Sequence, residues 1–586
     1  MKINALALSR AREARAAIER LYIEMRHLFN NGAYQHLGEA GEVLTDALLT
    51  LSPEIYGSMS DPNKVELSGL VYVVDRLPKG IEECRFIKLI SEEGYSNSEF
   101  EVIVPAARRR NCYRIDQEHM FVEVTRGRSE IYDILTHLTF MYMEAEKIKN
   151  HALDEEGIPK IEWRHIEKIA LGETSLDERN IESAFAHLST ILGRTYQETK
   201  YAYERLRKRP NDNNGLFSVV YWLGRIAMED DLESQRREIS FSPTLRERIG
   251  HHIYGERWAN RLKSFLVDHG LHQRPMHIIS ANLHSVMNSL YAYPALVRTV
   301  GKQMPLDELT LLLSKPESHE LRKRVEEYAV KHGMYRLDDP FGTNISVQIF
   351  DTAQINPKQL SPELTVDREM FGKEAPILIV MDYAFGEQAY ETMDELLKPI
   401  EIGEDRVPMP MESISIMGKA GILHGGKGDI MVPTAHIFEG TADNYPFEND
   451  FTKGDFEDWP GMICAGPMIT VLGTSLQNRD VLAYFKNSSW AAIGLEMEGA
   501  HYQKAIQAAA WIRKSIQSGV TLRYAYYASD NPLKTGGTLA SGSLGTVGVK
   551  PTYLITRKIL EKIFQPSPVP EKLAHESTTA THQQLS

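Results

Sequence analysis

From Arg336 onward the sequence alternates between two kinds of run. Short apolar stretches, "ISVQIF", "APILIVMD", "SISIMG", "GDIMVP", "AAIGLEM" and "TLRYAYYASD", are interleaved with longer ones whose apolar residues recur at helical spacing, "EQAYETMDELLKPI", "AHYQKAIQAAAWIRKSIQ" and "TYLITRKILEKIF". A short run that is apolar on both faces is hidden from water only inside a sheet covered by helices, so the alternation predicts a mostly parallel sheet. Such sheets bind ligands outside the carboxyl ends of their strands. The residues that end these runs are therefore the first place to look for chemistry.

A chain of 586 residues is too long for one ordinary core. Residues 1–60 read as helix with a turn at "NNGAY"; strands are expected at "LSGLVYVVDRL" and "EFEVIVPA", and a long helix at "SEIYDILTHLTFMYMEAEKIKNHAL". These make residues 1–154 a small α+β domain. Residues 155–340 read as a helical domain, in which "RPMHIISANLHSVMNSLYAYPAL" puts His277 and His284 on one helix face as packing histidines. Residues 341–565 form the α/β domain, and the polar, Pro-containing stretch 566–586 reads as a flexible tail.

A formal net charge of -14 argues against a nucleic-acid surface and predicts no nucleic-acid partner. The densest basic run, "ARRRN" at Ala107–Asn111, reads as a solvated strand end. Cys84, Cys112 and Cys464 lie far apart without metal-type spacing, which fits a reducing compartment, no disulfide framework and no metal site. No apolar run reaches the ~18–20 residues that span a bilayer, and Arg10, Arg12, Glu13 and Arg15 interrupt the N-terminal apolar spacing. The expectation is a cytoplasmic protein with no membrane partner and no cofactor.

Chemistry gathers at two junctions. In "GLEMEGAHYQKAI" a small apolar strand meets an Ala-rich helix, and Glu496 and Glu498, two positions apart, would share one face of the strand with Glu498 at the helix N-terminus. In "RYAYYASDNPLKTGGT" an acid, Asp530, ends an aromatic strand. Upstream, "IMGKAGILHGGKGDIMVP" reads as a strand ending in a glycine-rich turn, followed by Asp429 and a second strand, and "ICAGPMITVLG" as a strand and turn. In this order the four segments resemble the purine nucleoside phosphorylase and nucleosidase superfamily, over residues 341–565. Its members carry a G-x-A-G-G-L-type turn, a G-D-I-V-V-type strand, an E-M-E-[GA]-type junction and a terminal S-D-type strand. Within it the chain looks most like AMP nucleosidase, whose S-D-K-P-L-type run is matched by Ser529, Asp530, Asn531, Pro532 and Leu533.

The resemblance implies an α/β fold, a C-terminal three-layer phosphorylase/nucleosidase-type domain with a mostly helical N-terminal half. It implies hydrolysis of the N-glycosidic bond of a small-molecule purine nucleotide or nucleoside, and a homo-oligomer. Asp530 would protonate the purine at N7, Glu498 would bind the ribose hydroxyls and Met497 would pack on the sugar. Glu496, Gly418, Lys419, Ala420, Gly421, Met468, Ile469, Ser529 and Asn531 would line the substrate, and Lys419 and Lys534 read equally as contacts to a 5′-phosphate or as surface lysines.

The chemistry accounts for two acids. Breaking this bond builds an oxocarbenium-like sugar and an electron-rich purine, so one carboxyl must donate to the base while another stays ionised near the sugar. The helix N-terminus after Glu498 would favour its anion, while burial beside Tyr524, Tyr526 and Tyr527 would keep Asp530 protonated. The loop after "ILIVMD", Tyr383 to Gln388, has no Arg, Ser or Thr to receive inorganic phosphate, which favours water as nucleophile with Glu387 as its base. The loop after "ISVQIF", "DTAQINPK", has no glutamate for that task. A phosphorylase using inorganic phosphate and a purine-nucleotide sensor without turnover are the alternatives. Because every motif lies after residue 341, a fragment from near Arg336 is expected to keep some base-releasing activity.

Overall fold

The computed structural model describes residues 5–565 apart from 109, 208–214, 232–235, 301–303, 373, 442 and 535–544; the tail expected at 566–586 lies outside the described residues. A ten-stranded mixed sheet organises the C-terminal half. At its centre Met276–Ser280 runs parallel to Ile377–Met381 on one side and to Met411–Ile422 on the other. Thr521–Asp530 continues the parallel set beside Met411–Ile422, while Val347–Asp351 and Met334–Leu337 extend the far edge antiparallel.

Five of the strands close on themselves. Thr521–Asp530 also pairs antiparallel with Ile430–Phe438, which runs parallel to Ile463–Thr470; that strand is parallel to Gly494–Glu496, whose Gly494 and Leu495 return antiparallel to Ile422 and Gly421. Closure of so few strands leaves an interior only side chains can fill. Alternate residues of Thr521–Asp530 accordingly serve two cores: Leu522, Tyr524, Tyr526 and Ala528 in one, Ala525 and Tyr527 in the other. The expected strands and helices after residue 341 are present, including the helices Gln388–Leu396, Gly499–Gln507 and Val549–Ile563.

The N-terminal half departs from expectation. "LSGLVYVV" is the helix Leu67–Val74, started by the Glu66 carboxylate, which accepts a hydrogen bond from the Ser68 N–H. Its Leu67, Leu70, Val71, Tyr72 and Val73 are all buried, and with Ser68 its one exposed residue the helix carries too little polar face to betray its period. "EFEVIVPA" contributes only Val102–Ile103 to a six-stranded sheet, and Glu238–Phe241 joins that sheet from inside the block read as helical. The "ARRRN" run is no solvated strand end: Arg108 and Arg110 reach Asp133 at 2.9 and 3.1 Å, and Arg110 also reaches the buried Glu130 at 3.3 Å.

The strand Met276–Ser280 is the larger correction. It was expected as helix within 155–340, yet all five of its residues are buried and it pairs on both sides, so the sheet begins well before residue 341. His277 sits on this strand with its Nδ1 2.7 Å from Ser413 Oγ, whereas His284 lies on the following helix, Leu283–Val300; the two do not share a helix face. The two halves are also joined by one core, in which Leu21, Phe29 and Leu135 belong to the same cluster as Val471, Leu482, Phe485 and Met497. Among the described residues no helix is long and apolar enough to cross a membrane.

A fragment beginning at residue 341 therefore lacks a strand with neighbours on both sides and the helix that covers it. It is expected to show no cooperative thermal unfolding by circular dichroism. A sharp transition with native near-ultraviolet signals would show that the sheet closes without Met276–Ser280.

Candidate active site

The end of Thr521–Asp530 brings Ser529 and Asp530 alongside Ala420 and Gly421, where the register with Met411–Ile422 shifts by a bulge. Ser529 Oγ lies 3.1 Å from the Ala420 carbonyl and 2.5 Å from Asp530 Oδ1. Asp530 is 3% exposed, and its Oδ2 has no hydrogen-bond partner among the described residues. Burial raises its pKa above the ordinary carboxylate value, against the opposing pull of the Ser529 hydroxyl and of Lys427 and Lys419. The proton-holding tendency expected of this acid is thus present.

The G-K-A-G segment is not a turn. Gly418, Lys419, Ala420 and Gly421 lie within the strand Met411–Ile422, and the turn follows at Leu423–Asp429. Gly425 there has φ +100°, and a Cβ on it would collide with Asp429, whose carboxylate accepts from the Gly426 N–H at 2.8 Å and the Met462 N–H at 2.9 Å. Asn531 and Lys534 donate to the Gly425 carbonyl at 3.1 and 2.9 Å, so both brace this turn.

The two glutamates divide differently from expectation. The strand stops at Glu496 and the chain turns into the helix Gly499–Gln507, which breaks the two-residue period that would have put both acids on one face. Glu496, 3% exposed, accepts from the Glu498 N–H at 2.5 Å, from the Gly499 N–H and from Thr470 Oγ1 at 2.5 Å, and lies 3.4 Å from His436 Nδ1. It is Glu496 that caps the helix. Burial opposes its charge, but His436, Thr470 and the Gly499 N–H together hold its pKa below the ordinary value.

Glu498 points instead to the loop after Ile377–Met381, where its Oε1 accepts from the Gly386 N–H at 3.0 Å. Burial and the neighbouring Glu496 charge push its pKa up to about 8, the reverse of the anion expected from the helix N-terminus. Met497 is 8% exposed, joins the core shared with the N-terminal half, and sits 3.8 Å from where a Cβ on Gly386 would be.

Other expected residues fall elsewhere. Met468 and Ile469 are fully buried in two different hydrophobic cores, and it is the next residue, Thr470, that touches the site through Glu496. Glu387 is ion-paired with Arg128 at 3.1 Å and lines a cavity of about 300 Å³ between the two halves, together with Tyr22, Arg26, Tyr390 and His501. A second cavity, about 690 Å³, opens at the carboxyl ends of Met276–Ser280 and its parallel neighbours, lined by Asn282, His284, Arg322, Lys419 and Tyr527. The sequence reading names His284 but as a packing histidine, and it leaves out Asn282, because "HIIS" reads there as helix; Arg322, on the helix His319–Lys331, carries no local signal. The β-branched pair in "HIIS", followed by "AN" before a helical run, is the signal that would have found the strand end.

No curated protein matches the chain. Among solved structures it is similar to the 5′-methylthioadenosine/S-adenosyl homocysteine nucleosidase of Campylobacter jejuni, at 10% identity and TM-score 0.29 over 50% of this chain and 98% of that one. It is also similar to native futalosine hydrolase of Helicobacter pylori, at 11% identity and TM-score 0.30 over 49% and 98%. The 5′-methylthioadenosine/S-adenosylhomocysteine nucleosidase of Neisseria meningitidis, in complex with methylthio-immucillin-A, gives 9% identity and TM-score 0.30 over 49% and 99%. Superpositions at these scores do not establish a common fold. A family model matches residues 42–299 and 309–565, on both sides of the division between the halves, and by that match the chain belongs to the family of unknown function DUF6909.

Proposed function

We propose that the protein hydrolyses the N-glycosidic bond of a purine nucleotide or nucleoside. The observation that carries this reading is Asp530: a buried carboxyl with one oxygen unpartnered among the described residues, biased toward its protonated form, at the carboxyl end of a strand parallel to Met411–Ile422. Glu498, the second acid of the site, is pushed the same way, toward its protonated form, so the anion that this chemistry asks for near the sugar forms only as the pH approaches about 8. The order of the G-K-A-G, G-D-I, E-M-E-G and S-D segments, and their places at strand ends and beside a helix, support the same chemistry.

In this mechanism the electrons of the C1′–N9 bond pass to the purine, Asp530 gives its proton to N7, and the base leaves neutral. The sugar carries the positive charge, which the ionised form of Glu498 stabilises while its oxygens accept from the ribose hydroxyls. Water adds its oxygen to C1′ and releases a proton to solvent, from which the Asp530 carboxylate is reprotonated for the next turnover. Held in an ion pair with Arg128, Glu387 is a weaker choice for the base that takes this proton than the sequence suggested.

One observation favours phosphorolysis as a second reading. The cavity of about 690 Å³ gathers Lys419, His284 and Arg322 next to the parallel strand ends, and these supply the cationic and polar groups that the Tyr383–Gln388 loop lacks. Arg322 is fixed there by the carbonyls of Leu313, Lys315 and Pro316.

Incubation of the pure protein with AMP, adenosine, methylthioadenosine, inosine or guanosine should release free base without phosphate. Base that appears only with phosphate, accompanied by a sugar 1-phosphate, would select the phosphorylase; no base from any of them would leave a purine sensor. Asp530→Asn is expected to lower turnover by about 10² or more, in the range of general acid catalysis, with an unchanged thermal transition.

Glu498 also predicts two pH effects. One limb of the kcat/KM profile should fall near pH 8, and Glu496→Gln, which removes the like charge, should move it to lower pH. Because the folded pKa of Glu498 is raised, its contribution to stability is fully present below the ordinary carboxylate range and is lost as pH rises through about 8. Glu498→Gln should therefore melt higher than the parent protein at pH 9 and no higher at pH 5. Equal melting shifts at both pH values would contradict the raised pKa.

A further inference from the structure

We propose that Ser129 and Arg128, in the first turn of the N-terminal helix Arg128–Ala152, are positioning residues for Glu498. The inference rests on the reading of Glu498 given above, and it makes the N-terminal half part of the site. The link is the loop that follows Ile377–Met381. Its Gly386 N–H is the backbone donor from this loop to Glu498, at 3.0 Å. A peptide N–H points where its two flanking residues let it, and the N-terminal half holds both of them.

On one side, the Glu387 N–H donates to Ser129 Oγ at 2.8 Å, and the Glu387 carboxylate accepts from Arg128 Nη1 at 3.1 Å. Both side chains of that ion pair are largely withdrawn from water, 16% and 14% exposed, so solvent screens it little. On the other side, the Phe385 ring lies beneath the guanidinium groups of Arg126 and Arg108, 5.1 and 5.5 Å from its centre. Gly386 itself has φ +56°, a conformation that favours glycine, and a Cβ on it would collide with Ser129. The fit of Ser129 against Gly386 is close enough that neither can shift without the other.

The consequence falls on the Glu498 proton. Burial and the Glu496 charge raise the Glu498 pKa; the Gly386 N–H, the Met497 N–H and the Lys419 ammonium lower it. Around the Arg128–Glu387 pair stand Arg26, Glu391, His252 and His501, with Tyr22 and Tyr132. Of these, only the Gly386 N–H depends directly on where Ser129 and Arg128 hold the loop. Loss of either anchor weakens that donor and leaves Glu498 more strongly protonated at neutral pH.

The test uses the full chain with Ser129→Ala, Arg128→Gln and the conservative Arg128→Lys. Titration of the Glu498 carboxyl, followed by infrared difference against Glu498→Gln, should move upward by about half a pH unit or more in Ser129→Ala and Arg128→Gln, and less in Arg128→Lys. Turnover in the first two should fall about tenfold to a hundredfold, the scale of effect carried by partners that orient a functional group, in kcat more than in KM. Titration curves that coincide with the parent's in folded variants would overturn the proposal, even if those variants melt earlier. The infrared arm needs no turnover, so a parent protein that releases no base, together with an upward shift in the variants, would refute the nucleosidase reading and leave the positioning role standing.

Discussion

Two carboxylates one residue apart cannot both be buried and charged without compensation, and the way this chain meets that constraint sets the rest of the site. Glu496 takes the backbone N–H groups at the start of Gly499–Gln507, Thr470 and His436. It thereby ties together the helix, the strand Ile463–Thr470 and the strand Ile430–Phe438. With that charge fixed and satisfied inside, Glu498 turns to a different loop and holds its proton more tightly. Gly499 belongs to the same solution, because a Cβ there would collide with the His436 ring.

What could be read from the sequence follows from how local each signal is. Asp530 and Glu498 were legible because an acid at the end of an apolar strand, or between strand and helix, announces itself within a dozen residues. The strands after residue 341 were legible for the same reason, but the sheet they make is mixed and not mostly parallel, because strand direction is set by pairing partners distant in sequence. Met276–Ser280 was not legible, since "MHIIS" runs into the apolar "LHSVMNSLYAYPAL" with only "AN" between, and the long helical period swallows the short strand. Leu67–Val74 failed in the opposite sense: a short helix with most of its side chains buried has the composition of a strand. The division of labour between Glu496 and Glu498 was misread because a helix cap depends on where the strand stops, which periodicity does not show. Ser129 and Arg128 lie 258 and 259 residues from their loop partner, and no local pattern links them.

The halves are therefore unequal in chemistry but not separable in structure. The C-terminal strands present the acids, and the N-terminal helices cover Met497, Val471 and the Phe385–Glu387 loop in one continuous core. Domain boundaries at 154 and 340 are sensible from composition, yet each is spanned by a sheet: Glu238–Phe241 pairs with Phe86–Ile90 before the first, and Met276–Ser280 with Ile377–Met381 after the second.

The docking of the helix Ala5–Asn31 against Arg479–Asn487 has a consequence for the birth of the protein. Arg15 donates to the carbonyls of Glu439 and Thr441, 424 and 426 residues further along, and its guanidinium lies 5.3 Å from the centre of the Phe485 ring. During synthesis the apolar face of this helix leaves the ribosome long before the surface that covers it exists. The nascent chain must carry that exposed stripe until the segment from Glu439 to Phe485 has been made, while sticky surfaces invite association with other chains. A molecule wired in this way acquires its candidate active site only after the strand Thr521–Asp530 has been made, long after its first helix.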